Sequence, residues 1–251
     1  MAYYAYEDAR RTKLVYARDC TAAEEGKRFY CRNPECNAIM QLKARESKMR
    51  PYFSAMAGSA HAADWCGSNS DELDETKYVE SEFDFASALE KLTQKEKRIG
   101  ERHKKHPAHP EGTGQERPLH TIRQILAMCQ SRSPEDTYNG MEIRKMLVDE
   151  RSNYYYTKGI WGYHLVEGKF WKYNRHTQII FLKYPYNKVG KNKYILSLHF
   201  PDEKLFKDIK DKLFHVQGPV VVAGLWGKIS NNIMQVEIIS SKQLWWYICR
   251  S

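Results

Sequence analysis

The sequence predicts an α+β chain, β-rich at both ends and helical between them. Three observations carry that expectation. Three cysteines and a histidine fall in two equally spaced pairs within the first 66 residues. A stretch near residue 100 loses apolar periodicity and gathers Pro, Gly and His. The last hundred residues alternate short apolar runs with turn-forming dipeptides around one amphipathic helix.

A chain of 251 residues holds one large domain or two small ones. At 42% hydrophobic it can build cores, which excludes wholesale disorder. No run of 18 apolar residues occurs, so a transmembrane helix is not expected. The opening MAYYAYEDARR lacks the apolar stretch of a signal peptide, which makes the cytoplasm the expected compartment. Cys20, Cys129 and Cys249 have no partner evident in the sequence, as suits a reducing environment. The formal net charge is +9 and aromatic residues make up 13%. Positive charge favours polyanions, and exposed rings offer stacking surfaces to unpaired bases.

Residues 1–80 are expected to form a small β-rich domain, with strands at 2–6, 13–16, 28–31 and 39–43. Too few apolar residues lie here for a core of useful size, so a metal must help the domain fold. Cys31 and Cys36 have four residues between them, with Pro34 favouring a tight turn, and His61 and Cys66 repeat the spacing. Three thiolates and one imidazole suit tetrahedral Zn²⁺ with no open position, a structural staple and not a reaction centre. The commonest zinc ribbons place two residues between paired cysteines, and the alternative is reduced cysteines beside a solvated histidine.

The opening YYAYEDARRTKLVYARD, the cysteine pair, and RPYFSA followed by His61 and Cys66 resemble the N-terminal zinc-binding domain of competence-protein CoiA-like bacterial proteins. The resemblance covers residues 1–80 and implies metal ligation by Cys31, Cys36, His61 and Cys66. A nuclease-type domain can follow the zinc domain in those proteins. The resemblance therefore implies, as an alternative function, a metal-dependent nuclease or nuclease-like factor, with other proteins of a DNA-processing system as partners. A frequent His-Phe-Ala-His element of the family is Tyr52-Phe53-Ser54-Ala55 here, so any role of those histidines is absent.

Residues 81–117 read as a helix and a basic flexible linker. Ser81 is expected to cap a helix from Glu82, with Phe85, Ala88, Leu89 and Leu92 on one face. Glu80, Glu82 and Asp84 lie close together, but a nuclease needs carboxylates converging on Mg²⁺, usually with a lysine on an adjoining strand. No downstream strand is read as carrying a Glu-x-Lys element, so the acidic group reads as a helix start favoured by the helix dipole. His103, His106 and His109 recur every third residue, but Pro107 and Pro110 prevent a helix from aligning them.

Residues 118–157 are expected to hold a helical pair. Leu119, Ile122, Ile125, Leu126 and Cys129 form the apolar face of the first helix, and Ile143, Met146 and Leu147 that of a second over 141–150. The long turn and evenly mixed charge favour a packed pair over a DNA-reading helix-turn-helix.

Residues 158–251 carry strand candidates at 164–166, 169–173, 178–184, 194–200, 220–226 and 233–239, with a turn at Glu167-Gly168 joining the first two. A helix over 203–213 precedes the closing hairpin, which is the order of an OB-like β-barrel. Gly224 permits the bend that closure needs. OB-folds hold single strands with a basic groove and aromatic platforms. The candidates here are Phe170, Trp171, Lys172, Tyr173, Arg175, Lys183, Tyr184, Lys191, Lys193, Trp226 and Lys228. Both faces of 178–184 are largely apolar, so the alternation assigns no binding face. Trp245 and Trp246 are expected to pack.

No nucleophile–base motif or glycine-rich phosphate loop occurs. The expected function is therefore non-enzymatic binding of single-stranded DNA or RNA, away from membranes, with a structural zinc module. A CoiA-like nuclease is the first alternative and a protein-interaction adaptor the second.

Overall fold

The computed structural model describes residues 2–43, 51–63, 66, 78–94, 118–183 and 194–246. Tyr184, Lys191, Lys193, Cys249 and the three linker histidines lie outside them. The architecture is mixed α+β. No described helix is long and apolar enough to cross a membrane.

The N-terminal sheet is built from β1 (Tyr4–Tyr6), β2 (Leu14–Tyr16), β3 (Phe29–Tyr30), β4 (Ile39–Lys43) and β5 (Tyr52–Ala55), in the order β2-β1-β3-β4-β5. All its pairings are antiparallel. Two backbone hydrogen bonds between Ala2 and Phe53 tie its start to its last strand. The core is small: Phe29 and Phe53, rings 4.7 Å apart, lie with Ala5, Ala17 and Met40 beside three buried cysteines.

A helical layer follows. Helix α1 (Phe85–Leu92) begins three residues later than expected, because the Asp84 carboxylate, not Ser81, accepts the Ser87 N–H as N-cap. Helix α2 (Ile122–Gln130) opens with a reciprocal capping box between Thr121 and Gln124. The expected second helix of the pair does not form. In its place β6 (Thr137–Tyr138) and β7 (Met141–Glu142) make a hairpin, α3 (Ile143–Met146) gives one turn, and β8 (Leu147–Val148) enters a sheet. Leu147 and Val148 are both fully enclosed there, between two cores, a burial that a two-layer helical pair would give only one of them.

The C-terminal part is a closed ring. It comprises β9 (Gly162–Asn174), β10 (Ile179–Lys183), β11 (Ile195–His199), β12 (Pro219–Ser230) and β13 (Ile233–Glu237), with α4 (Glu203–Phe214) between β11 and β12. Strand β9 pairs with β10 at one end and β12 at the other, β11 runs parallel to β13, and the β12–β13 hairpin completes the circuit. Strands β8 and β14 (Leu244–Trp246) extend β9 and β12 outside the ring. The expected turn at Glu167-Gly168 is absent, and β9 passes straight through it. A Cβ on Gly168 would sit about 3 Å from Leu196, Leu182 and the Lys183 carbonyl, so this glycine serves close strand approach. A Cβ on Gly224 would likewise collide with Val236.

Alternation sorts the ring residues into two cores. Val166, Ile180, Leu182, Leu196, Leu198, Val220, Val222, Met234 and Val236 fill the interior, closed at one end by Phe206, Ile209 and Leu213 of α4. Leu165, Val221 and Ala223 face outward and are covered by α1, α2 and α3. Each such aliphatic side chain contributes about 1.5–3 kcal/mol when fully buried. On the outer face of β10 and β11, Ser197 is fully buried and Ile179, Phe181 and Ile195 are half-buried, while Trp171 and Lys172 of β9 are exposed.

Candidate metal centre and nucleic-acid interface

The two ligand pairs meet. Cys31 leaves β3, Cys36 precedes β4, and His61 and Cys66 follow β5, so the sheet brings chain segments 35 residues apart to one end. The three Sγ atoms and one histidine nitrogen lie within 4.8 Å of one another, with Cys36 Sγ 3.5 Å from His61 Nδ1. Tetrahedral thiolate ligands at about 2.3 Å from a common ion stand about 3.8 Å apart, so this Cys₃His group fits a bound metal. All three cysteines are buried and His61 is half-buried. No second such group is found among the described residues.

The surroundings prepare the donors. Burial pushes the Cys36 thiol up, but N–H groups of Ala62 and Ala38, 3.3 and 3.4 Å from Sγ, together with hydrogen bonds from the Cys66 and Cys31 thiols, outweigh it and leave Cys36 below its usual value. Burial pushes Cys31 and Cys66 up, and a dication among them reverses that direction. Burial also lowers His61, which keeps the imidazole neutral and its lone pair free for ligation.

Arg11 holds the loop between the first two ligands. From a left-handed backbone, φ 56°, its guanidinium donates to the carbonyls of Cys31 and Asn33 at 2.8 Å and also to that of Cys36. The sequence reading missed it, since no spacing signal connects it to the ligands.

The N-terminal sheet joins the rest of the molecule through buried charge. Arg32, next to Cys31, donates to the Tyr4 hydroxyl at 2.7 Å and lies 3.6 Å from the buried Glu167 carboxylate of β9. Tyr4 in turn donates to Glu150 at 3.1 Å. Arg151 pairs with Asp149 at 2.8 Å, donates to the carbonyls of Cys129 and Arg132, and lies 4.7 Å from the Tyr4 ring. Burial, with Glu167 and Asp149 adding to it against Arg32, pushes the Glu150 carboxyl up to about 7. Burial raises Glu167 as well.

These contacts bear on the acidic residues. Glu80 accepts the Asn139 N–H and Asp84 caps α1. Glu167-Gly168-Lys169 is a Glu-x-Lys element on a strand, which the sequence reading passed over by assigning its first two residues to a turn. Glu167, Glu150 and Asp149 do not converge to metal-binding distances.

On the ring, one cross-strand row runs Lys172, Phe181, Ser197, Gln235 over β9, β10, β11 and β13. Its neighbours Leu182, Leu196 and Met234 point inward. Phe170 pairs with Leu182 and Lys172 with Phe181, so Trp171 sits in a bulge and both it and Lys172 face outward. Trp171 is 42% exposed. Lys172 Nζ lies 4.2 Å from the Trp171 ring and 5.4 Å from that of Phe181. Lys169 and Lys183 are exposed and pair across β9 and β10 beside this row; Lys228 and Arg175 are also exposed, but Lys228 pairs with the inward Met234 and Arg175 lies 5.8 Å from the ring of Tyr173 on the interior side.

The remaining candidates divide. Phe170 and Tyr173 are half-buried against the interior core. Trp226 is 2% exposed inside the ring, so its indole is not presented for stacking. Phe181 and Lys169 belong to the outer face but were missed: alternation puts Phe181 and Lys183 on one face of β10 but both faces are largely apolar, and the bulge in β9 has no sequence signature. Trp245 packs against the helical core and Trp246 against the interior core, as expected. Comparison with family models, curated proteins and solved structures gives no match for this chain.

Proposed function

We propose that this chain is a non-enzymatic protein that binds single-stranded DNA or RNA, built from a structural zinc module and an OB-like barrel. The observation that carries the reading is the outward row of Trp171, Lys172 and Phe181 on the closed ring. The ring supports it further: the helix falls between third and fourth strands and a hairpin closes the circuit, the order expected of an OB-fold. Each base stacked on Trp171 or Phe181 contributes about 1–3 kcal/mol. Lys172 with the neighbouring Lys169 and Lys183 supplies a sequence-independent attraction to phosphates.

The zinc assignment rests on the donor set. Thiolates are soft ligands that favour Zn²⁺ over Mg²⁺ or Ca²⁺, and four protein donors leave no position for substrate. Its role is to hold the N-terminal sheet, not to perform chemistry.

Fluorescence anisotropy with labelled single-stranded DNA and RNA oligomers at low salt tests the reading. Binding with little sequence preference and a steep fall with salt is expected. Absence of binding to both oligomers refutes it, and cleavage of the oligomers in Mg²⁺ transfers the chain to the nuclease alternative.

A further inference from the structure

We infer that the seam between the N-terminal sheet and the ring is a proton-operated latch, closed while Glu150 and Glu167 hold one proton between them and released when it leaves. The sheet faces this seam with Tyr4 and Tyr6 of β1, Tyr16 of β2, and Arg32, which follows β3. The other side presents Asp149, Glu150 and Arg151, which follow β8, and Glu167 of β9. Among the described residues, three carboxyls thus meet two guanidiniums, one negative charge more than the seam neutralises. Arg151 is committed to Asp149, to the Tyr16 hydroxyl and to the carbonyls of Cys129, Gln130 and Arg132. Arg32 is left to serve both glutamates, reaching Glu150 through the Tyr4 hydroxyl and standing 3.6 Å from Glu167.

An uncompensated carboxylate in so enclosed a place is costly, and a retained proton removes the cost. At 3.6 Å the buried Glu167 Oε2 accepts no hydrogen bond from Arg32. Glu150 is half-buried, so protons exchange with solvent at its edge. Two interacting carboxyls lose their protons as a pair. Burial raises both, Glu150 to about 7. The same burial pushes Tyr4 and Tyr6 up, so their hydroxyls stay protonated throughout. A carboxyl raised in the joined state favours joining below about 4.5, and that advantage is lost as pH rises through about 7. The metal acts in the opposite sense, since its binding weakens as pH falls. The latch is independent of the strand face on β9 and β10.

Amide hydrogen exchange of the full chain at pH 6 and pH 8.5, corrected for intrinsic rates and at constant metal content, tests the latch. Peptides over 2–6 and 149–152 report the seam, and peptides over β4, β5, β10 and β11 report the two cores. Seam protection is expected to fall about tenfold between the two pH values, the ratio set by a proton held near 7 in the joined state and near 4.5 in the parted one. Core protection should stay constant. The double variant E150Q/E167Q, neutral at both pH values, should abolish the fall. Glu150→Gln alone, at the half-buried position, should at least halve it, which keeps the test open if the double variant does not fold. The inference is overturned by seam protection that ignores pH in the parent, by core protection falling in step with the seam, or by a Glu150→Gln chain that keeps the parent's full dependence.

Discussion

The N-terminal sheet and the C-terminal ring are both five-stranded, yet they reach stability by different routes. Among described residues the sheet buries a core of nine, of which Cys31, Cys36 and Cys66 are three. Its strands span two to five residues. The ring and α4 enclose a core of twenty, and β9 alone spans thirteen residues. Burial supplies the ring with its stability directly. The sheet is too small for that, and its Cys₃His group offers a metal cross-link in place of apolar area. Where apolar area is scarce the chain places a set of metal donors, and where it is abundant it closes its strands into a ring.

Removing one ligand is the strongest attack on this contrast. Cys36→Ser should release the metal and cost the sheet several kcal/mol, with amide protection lost over residues 2–63 and retained over β9 to β13. Full structure without metal would remove the metal assignment, and simultaneous melting of both parts would merge the two routes into one. Ile180→Ala should cost about 2–5 kcal/mol, lowering Tm while metal content, read by elemental analysis, stays constant. On the outer face, Trp171→Ala should weaken oligomer binding by about 1–3 kcal/mol, and Lys172→Ala should lower the salt slope by about one phosphate contact. Neither should change Tm much.

The smallest effect lies at the junction. Glu150 titrates near 7 in the folded chain and near 4.5 unfolded, so the folded state holds the proton more tightly. Its stabilising contribution is present below about 4.5 and is lost as pH rises through about 7. Ligand deprotonation acts in the opposite sense, since metal binding weakens at low pH. The informative quantity is therefore the difference between the parent and Glu150→Gln in melts from pH 5 to 8. That difference should change across this range, and a constant difference would mean that Glu150 does not titrate there.

Much of this architecture was legible because its signals are local. Paired ligand spacing pointed to Cys31, Cys36, His61 and Cys66, short apolar runs located β4, β10 and β11, and the helical stripe of Leu205, Phe206, Ile209 and Leu213 located α4. The errors share a cause, which is that long-range packing decided the conformation. Glu167-Gly168 has turn chemistry, but strand approach at Leu196 and Leu182 requires the glycine inside β9. Ile143, Met146 and Leu147 have helical spacing, yet Leu147 and Val148 find partners on β9. Trp226 shares parity with the inward Val220 and Val222, and that alternation would have placed it inside. Arg11 and the Trp171 bulge depend on contacts or register that one chain segment does not encode.

Arg151 gives the molecule an order of assembly. Its guanidinium lies 3.5 Å from the Tyr16 hydroxyl, across 135 residues of chain. At synthesis rates of about 5–20 residues per second, Tyr16 leaves the ribosome on the order of ten seconds before Arg151 is made. Tyr4, Tyr16 and Arg32 must stay hydrated through that interval, and the ligand cluster is completed within it, since Cys66 precedes Arg151 by 85 residues. The seam between the two halves is thus the late step of biogenesis, reached after every residue of the ligand cluster has been made.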